Sequence, residues 1–347
     1  MKVSIQRKDI ILREPFVYYL DTLVVLPYAQ ITITTSDNVF GVGEIPCAVD
    51  INGETAEGSI NLASIVEYCL SAFSIHSEKD IKLAMEALSL RIAFNEALRF
   101  GVEQALFEIL AKRKNKSLSS LLGATKKEIK MQVTLPYLDS KEEYDKKLKI
   151  IFEKNPTYLK IKIGANLKRE IDVVKTARSY SNDVCISVDA NQSFKNPEDV
   201  AVFLKKIESC GISWIEQPLT KYALIEDWLV LKKMVSVPLM VDESIHTQKD
   251  VQFFLQNKAV DYLNIKLAKC GGVFEARKII ETAKKYEIPV MLGSMLEGEK
   301  ALKYNLAFGL SEDFIAYDFS QNYILENKKM PLYINEKTLY STKEVLL

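Results

Sequence analysis

From residue 130 onward the chain repeats one beat, a short apolar, β-branched run followed by a stretch with helical spacing. The runs are MQVTLPY (131–137), YLKIKIG (158–164), VCISVDAN (184–191), ISWIEQP (212–218), PLMVDES (238–244), DYLNIKLAK (261–269), PVMLGSM (289–295) and FIAYDFS (314–320). Strands that are apolar along their whole length belong to parallel sheets covered by helices on both faces. Eight of them, separated by seven helical stretches, close naturally into a TIM-type barrel of (β/α)7β form. The alternative is an open doubly wound sheet. Against it stand the count of eight and the lack of a GxGxxG turn after the first strand.

Residues 1–125 follow another pattern. VSIQRKDIILRE and YAQITITTSDNVFGVGE alternate as strands, with SDN as a turn, and three helical stretches follow. Strands and helices segregated in this way make an α+β domain. The polar joint GATKKEI near residue 125 separates it from a barrel over 126–320, and 321–347 are expected to complete the first domain. A chain of 347 residues is long enough for two such cores. Lys plus Arg and Asp plus Glu number 46 each, so no global charge attracts nucleic acid or an anionic membrane. Five cysteines without CxxC spacing read as reduced and buried in a cytoplasmic protein. The N-terminus reads as a strand and not as a signal peptide, and no run reaches the roughly 18 apolar residues of a membrane span. A homo-oligomer is compatible with all of this.

The residues that end the runs carry the chemistry. Lys160 and Lys162, Asp189 and Asn191, Glu216, Asp242 and Glu243, and Lys266 and Lys269 close five successive runs. From Lys162 to Asp189, Glu216, Asp242 and Lys266 the intervals are 27, 27, 26 and 24 residues. Each is one strand–helix repeat, so the five are expected at one height, at the barrel mouth where active sites lie. Asp189, Glu216 and Asp242 on adjacent strands would repel one another unless a cation neutralised them. All-oxygen ligation selects a hard ion, Mg²⁺ before Mn²⁺ or Ca²⁺.

Lys162 precedes this trio and Lys266 follows it, so the two face each other across the mouth. Neighbouring cations are expected to destabilise their ammonium forms and make a neutral amine available. One amine can then take a proton from a carbon beside a carboxylate while the other returns a proton to the opposite face. Lys160, two residues from Lys162 and on the same strand face, is placed to neutralise the substrate carboxylate.

The set LKIKIG, SVDANQSF, WIEQPL, VDESI, NIKLAKCGG and GSMLE resembles the enolase superfamily, in its muconate-lactonizing subgroup, over essentially the whole chain. The resemblance implies a capping role for the N-terminal domain, with its GVGE segment (Gly41–Glu44), and Mg²⁺ on Asp189, Glu216 and Asp242. It implies Lys162 and Lys266 as the acid/base pair, chemistry for which this superfamily is itself a standard example. NIKLAKCGG and GEIPCAVDINGET are most similar to dipeptide epimerases, which act on a small carboxylate substrate. Those enzymes carry Asp-x-Asp at the eighth strand to bind the substrate ammonium, whereas here Asp318 is followed by Ser320. The substrate-binding set is completed by Thr134, by Glu297 in a supporting or substrate-side role, and by Asp21. Asp21 stands where alanyl-glutamate epimerases carry an arginine, and it would favour a neutral or cationic side chain. Tyr18 and Tyr19 are placed to close over the substrate. The alternatives within the resemblance are an o-succinylbenzoate synthase and an N-succinylamino-acid racemase.

Overall fold

The computed structural model describes residues 1–318 apart from Ala165, together with 332–335 and 338–341. β1 (Lys2–Arg7), β4 (Tyr28–Thr34) and β5 (Phe40–Pro46) form an antiparallel sheet in the order β1-β4-β5, and β2 (Ile10–Val17) pairs with β3 (Thr22–Leu26) as a separate hairpin. The turn between β4 and β5 is made possible by Asn38, which adopts φ +62°, a region that asparagine tolerates better than most residues. Helices α1 (Ala56–Asn61), α2 (Ala63–Leu70), α3 (Glu78–Ser89), α4 (Glu96–Lys114) and α5 (Leu118–Leu122) follow. α4 lies flat on β5 because Gly41 and Gly43 have no Cβ; one at either position would run into the carbonyls of Ala105 or Gly101. The GVGE segment is thus a packing signature before it is anything else.

Eight parallel strands then close on themselves. They are β6 (Glu128–Leu135), β7 (Tyr158–Lys162), β8 (Cys185–Asp189), β9 (Ile215–Glu216), β10 (Leu239–Val241), β11 (Tyr262–Lys266), β12 (Val290–Gly293) and β13 (Tyr317–Asp318), with β13 pairing back onto β6. Around them run α6 (Lys141–Glu153), α7 (Leu167–Tyr180), α8 (Pro197–Lys206), α9 (Ile225–Met234), α10 (Gln248–Gln256), α11 (Leu267–Cys270), α12 (Val273–Lys285) and α13 (Glu299–Gly309). Several helices start where the chain says they should. Ser140 with Glu143 and Thr247 with Asp250 form capping boxes, and Asn196 caps a helix whose first residue is Pro197.

The expectation of equal height needs a correction. Lys162, Asp189 and Glu216 are level partners, but Glu216 pairs with Met240, so Asp242 stands two residues further along. Extending the pairing once round the barrel from Lys162 returns it to β7 at the level of Lys154, a stagger of eight residues. That stagger belongs to tilted strands in a closed eight-stranded barrel, and the tilt carries the later residues to the same mouth.

The described part of the C-terminal segment pairs with the barrel. β14 (Leu332–Asn335) and β15 (Thr338–Ser341) form a hairpin, and β15 adds antiparallel to the first residues of β6, which belongs to the barrel. The first residues of β6 precede its pairing with β13 and β7 and so offer unpaired N–H and C=O groups.

Buried carboxylates staple the two parts together. Glu103 of α4 accepts the backbone N–H groups of Val273 (2.5 Å) and Phe274 (3.4 Å) in the first turn of α12, and the Tyr304 hydroxyl at 3.0 Å. Glu44 of β5 accepts the Ala301 N–H at 2.9 Å in the first turn of α13. The unpaired N–H groups of a helix start are good partners for an anion.

Candidate active site

A cavity of about 420 Å³ lies where the N-terminal part covers the barrel mouth. Lys160, Lys162, Lys266, Asp318 and Thr134 contribute to its barrel side, and Asp21 and Tyr18 to its cap side. Lys160, Lys162 and Lys266 are 2%, 6% and 7% exposed, which is rare for lysine and requires paired charge.

The pairing is dense. Lys162 Nζ donates to Asp189 Oδ2 at 2.7 Å and to Asn191 Oδ1 at 2.6 Å. Lys266 Nζ lies 2.7 Å from Asp242 Oδ2, and Lys269 Nζ takes the other oxygen of Asp242 at 2.6 Å. Lys160 bridges Asp189 (3.2 Å) and Glu216 (3.5 Å) and also pairs with Asp318. Asp318 Oδ1 accepts the Thr134 hydroxyl at 3.0 Å. Asn264 Nδ2 donates to Glu216 Oε1 at 2.7 Å. Gln217 ties the loops after β9 and β10, donating to Ser244 Oγ and accepting the Asp242 N–H.

The electrostatics follow from burial and these neighbours. Burial, with Asp189 nearby, pushes the Glu216 carboxyl up to about 8. Burial alone would raise Asp242 as well, but Lys266 and Lys269 pull it well below the usual carboxylate range. Asp189 is likewise lowered by Lys162 and Lys160 against its burial. The lysines respond in kind. Burial disfavours the Lys266 ammonium, yet Asp242 and Glu243 hold it above the ordinary lysine value, and Lys160 is raised for the same reason by Asp318 and Glu216. This is opposite to the lowered amine expected from neighbouring cations, because the carboxylates are closer than the other lysines.

The donor set has the chemistry of a hard-cation site, three buried carboxylates near enough to perturb one another. Among the described residues, however, no three acidic side chains close on one point as ligands. The ammonium groups of Lys160, Lys162, Lys266 and Lys269 hold them individually.

Of the two roles open to it, Glu297 has surroundings that match the supporting one. It does not line the cavity, is buried, and accepts the Met295 N–H at 3.0 Å and the Asn305 amide. Burial pushes its carboxyl up to about 8. Asp21 lies at the cavity wall with Oδ1 accepting the Thr22 N–H at 2.7 Å, and Ser320 lies outside the described residues. Asn191, Glu243 and Lys269 were visible as polar ends of apolar runs, but spacing assigned them no partner. Their contacts, together with those of Gln217 and Asn264, are loop-to-loop and strand-to-strand relations that no interval records.

A capped (β/α)7β barrel with lysines and carboxylates meeting at its mouth defines the class to which the protein belongs, and sequence comparison names it. Residues 1–123 match the mandelate racemase / muconate lactonizing enzyme N-terminal domain and residues 146–333 the enolase C-terminal domain-like family. The chain therefore belongs to the enolase superfamily. It is 30% identical over 302 residues to an L-Ala-D/L-Glu epimerase of Francisella tularensis subsp. novicida, covering 83% of each chain. It is 27% identical over 301 residues to a hydrophobic dipeptide epimerase of Enterococcus faecalis, covering 85% of this chain and 82% of that one. The structure of a dipeptide epimerase from Enterococcus faecalis, complexed with Mg and L-Leu-L-Tyr, superposes with a TM-score of 0.86 at 24% identity, over 98% of this chain and 96% of that one. These relatives are epimerases, and the chain is an isomerase of the same superfamily. Among the described residues no helix is long and apolar enough to cross a membrane.

Proposed function

We propose that the protein epimerises a dipeptide at its C-terminal residue by exchanging the α-proton between Lys162 and Lys266. The observation that carries this reading is the placement of those two amines. They stand on β7 and β11, on opposite sides of the barrel, and both line one cavity. A neutral Nζ on one side accepts the α-proton, and the ammonium on the other side donates a proton to the opposite face of the same carbon. The bond broken and the bond formed are both Cα–H, and the configuration inverts. Lys160, two residues before Lys162 on β7, lines the same cavity, where its charge favours the substrate carboxylate. A divalent cation, Mg²⁺ by preference, held by Asp189, Glu216 and Asp242, would supply positive charge for that carboxylate and for the negative charge that develops as the proton leaves.

The cap side of the cavity bears on the substrate side chain. Phe16, Leu23 and Leu26 pack there with Leu296, and Asp21 and Asp50 are the charged groups among the described cap residues that line it. A glutamate side chain would meet acidic and apolar groups, so neutral apolar side chains fit better. The five cysteines stand as free thiols, which supports a reducing, cytoplasmic setting.

One observation favours a second reading. Asp318 is already occupied by Lys160 and Thr134. A substrate without a free amine, such as an N-succinylamino acid, would leave that pairing undisturbed. A Bacillus cereus N-succinyl-L-Arg/Lys racemase is 25% identical over 306 residues, covering 88% of this chain and 82% of that one. Incubating apolar dipeptides, alanyl-glutamate and N-succinylamino acids in deuterated water separates the readings by mass and by chirality. Deuterium entering none of the dipeptides would refute the first.

A further inference from the structure

Lys162 is the end of a three-residue chain. Its Nζ donates to Asn191 Oδ1 at 2.6 Å, and Asn191 Nδ2 donates to Glu243 Oε1 at 3.0 Å. A lysine ammonium can only donate and a carboxylate can only accept, so the two partners impose one orientation on the amide between them. The backbone at Asn191 is held for this purpose. Asn191 and Gln192 adopt consecutive positive φ angles of 40° and 72°, a strained turn for two residues with side chains. It is fixed by the Asn191 N–H on Asp189 Oδ1 (3.0 Å) and the Gln192 N–H on the Gln217 carbonyl (2.8 Å).

Glu243 is 2% exposed, lines the cavity, and its Oε2 has no hydrogen-bond partner among the described residues. A carboxylate kept only for stability would have no reason to leave a buried oxygen unsatisfied beside a lysine-rich floor. Lys266 meets Asp242 Oδ2 directly at 2.7 Å, as Lys162 meets Asp189 Oδ2, but it has no amide link to Glu243, whose influence on it is that of a nearby charge.

We propose that Glu243 is a positioning residue for Lys162, acting through Asn191 to set where that amine stands on its side of the substrate. This rests on the α-proton exchange proposed above. The consequence is an asymmetry, since Glu243 reaches Lys162 through a hydrogen-bonded amide and Lys266 through its charge alone.

The test is deuterium incorporation measured separately for each epimer of the best dipeptide, with Lys162→Ala and Lys266→Ala showing which epimer depends on which amine. Glu243→Leu is expected to slow the Lys162-dependent epimer by about 10- to 100-fold, the range a misplaced reacting group produces. The Lys266-dependent epimer, which loses only a nearby charge, should be slowed at least about fivefold less, and Glu243→Gln, which still offers an oxygen to Asn191, should recover most of the Lys162-dependent loss. In the double variant Asn191→Ala/Glu243→Leu the effect should not exceed that of Asn191→Ala alone. Equal slowing of both epimers, or no recovery with glutamine, would overturn the proposal. Should Glu243→Leu fail to fold, Glu243→Asp withdraws the carboxylate from Asn191 while keeping its charge, and the same selective loss is expected. A readout without substrate separates failure of this proposal from failure of the dipeptide reading. In Glu243→Asp, which keeps the charge near Lys266, amine-reactive labelling followed by peptide mass spectrometry should change severalfold in rate at Lys162 and not at Lys266. An unchanged rate at Lys162 would refute the positioning role even if no dipeptide were turned over.

Discussion

Gly293 and Lys266 are direct partners across β12 and β11, and the lysine side chain lies over the glycine. A Cβ at 293 would stand 2.9 Å from Lys266 Cγ and 3.0 Å from Cε, and would also press on Asn264 Oδ1. The missing side chain is the slot along which the amine reaches the cavity. Gly293→Ala is therefore expected to cut exchange at the Lys266-dependent epimer by about 100-fold while the other epimer is largely spared. Epimer-resolved deuterium incorporation reads this, and a uniform loss would show that the slot is not specific to Lys266.

Asp318 distinguishes amine-bearing from acylated substrates. For a dipeptide, Asp318→Asn removes a charge-assisted bond of about 1.5–3 kcal/mol, which corresponds to roughly 10- to 150-fold in kcat/KM. For an N-succinylamino acid only the pairing with Lys160 is disturbed, so kcat/KM should fall at least about fivefold less than for the dipeptide. Steady-state kinetics on the two substrate classes decide between them.

Asp21 sits at the cavity wall, exposed, so its influence is screened. Asp21→Arg should raise kcat/KM for alanyl-glutamate relative to alanyl-leucine by about 2- to 10-fold. A ratio unchanged in a competition assay would mean that this side chain points away from the substrate in the working enzyme.

Glu44 gives the most direct measure of how the two parts are joined. Glu44→Ala strands N–H groups at the start of α13, and the loss of such a cap typically costs about 1–2 kcal/mol. Glu44→Gln keeps an acceptor and should cost less. Denaturant unfolding of the pair measures the difference.

His246 is half-buried just before α10, its backbone N–H donating to Asp250 at 3.0 Å. Burial, with Lys269 nearby, lowers its pKa to about 4. Because the folded state binds the proton less readily than the unfolded chain, His246 contributes stability above about pH 6.5. That contribution declines as pH falls towards 4, by about 3 kcal/mol in all. Urea unfolding at pH 7.5 and 4.5 should show a smaller pH-dependent loss for His246→Gln than for the native chain. An equal loss in both would remove His246 as the cause.

Much of the site was legible before any coordinates because a barrel turns a one-dimensional interval into a shared mouth. Lys162, Asp189, Glu216, Asp242 and Lys266 interrupt apolar runs one repeat apart, and the closed sheet delivers all five to one mouth. Glu297 and the C-terminal hairpin were harder for opposite reasons. Glu297 belongs to a loop whose direction is set by Asn305 and Met295, and β15 was claimed by an open strand edge that the sequence does not mark.

The residue pattern by itself determined the class of fold, the barrel end at which the charged groups gather and the hard-oxygen character of the acidic trio, because strand period and repeat length act locally and add up. Only the tertiary structure decided which ammonium meets which carboxylate, that Lys160 rests on Asp318, and that Glu243 reaches Lys162 through Asn191. Those pairings are competitions in a buried space among several equally charged candidates, and distance across the barrel, which no spacing along the chain encodes, settles each one.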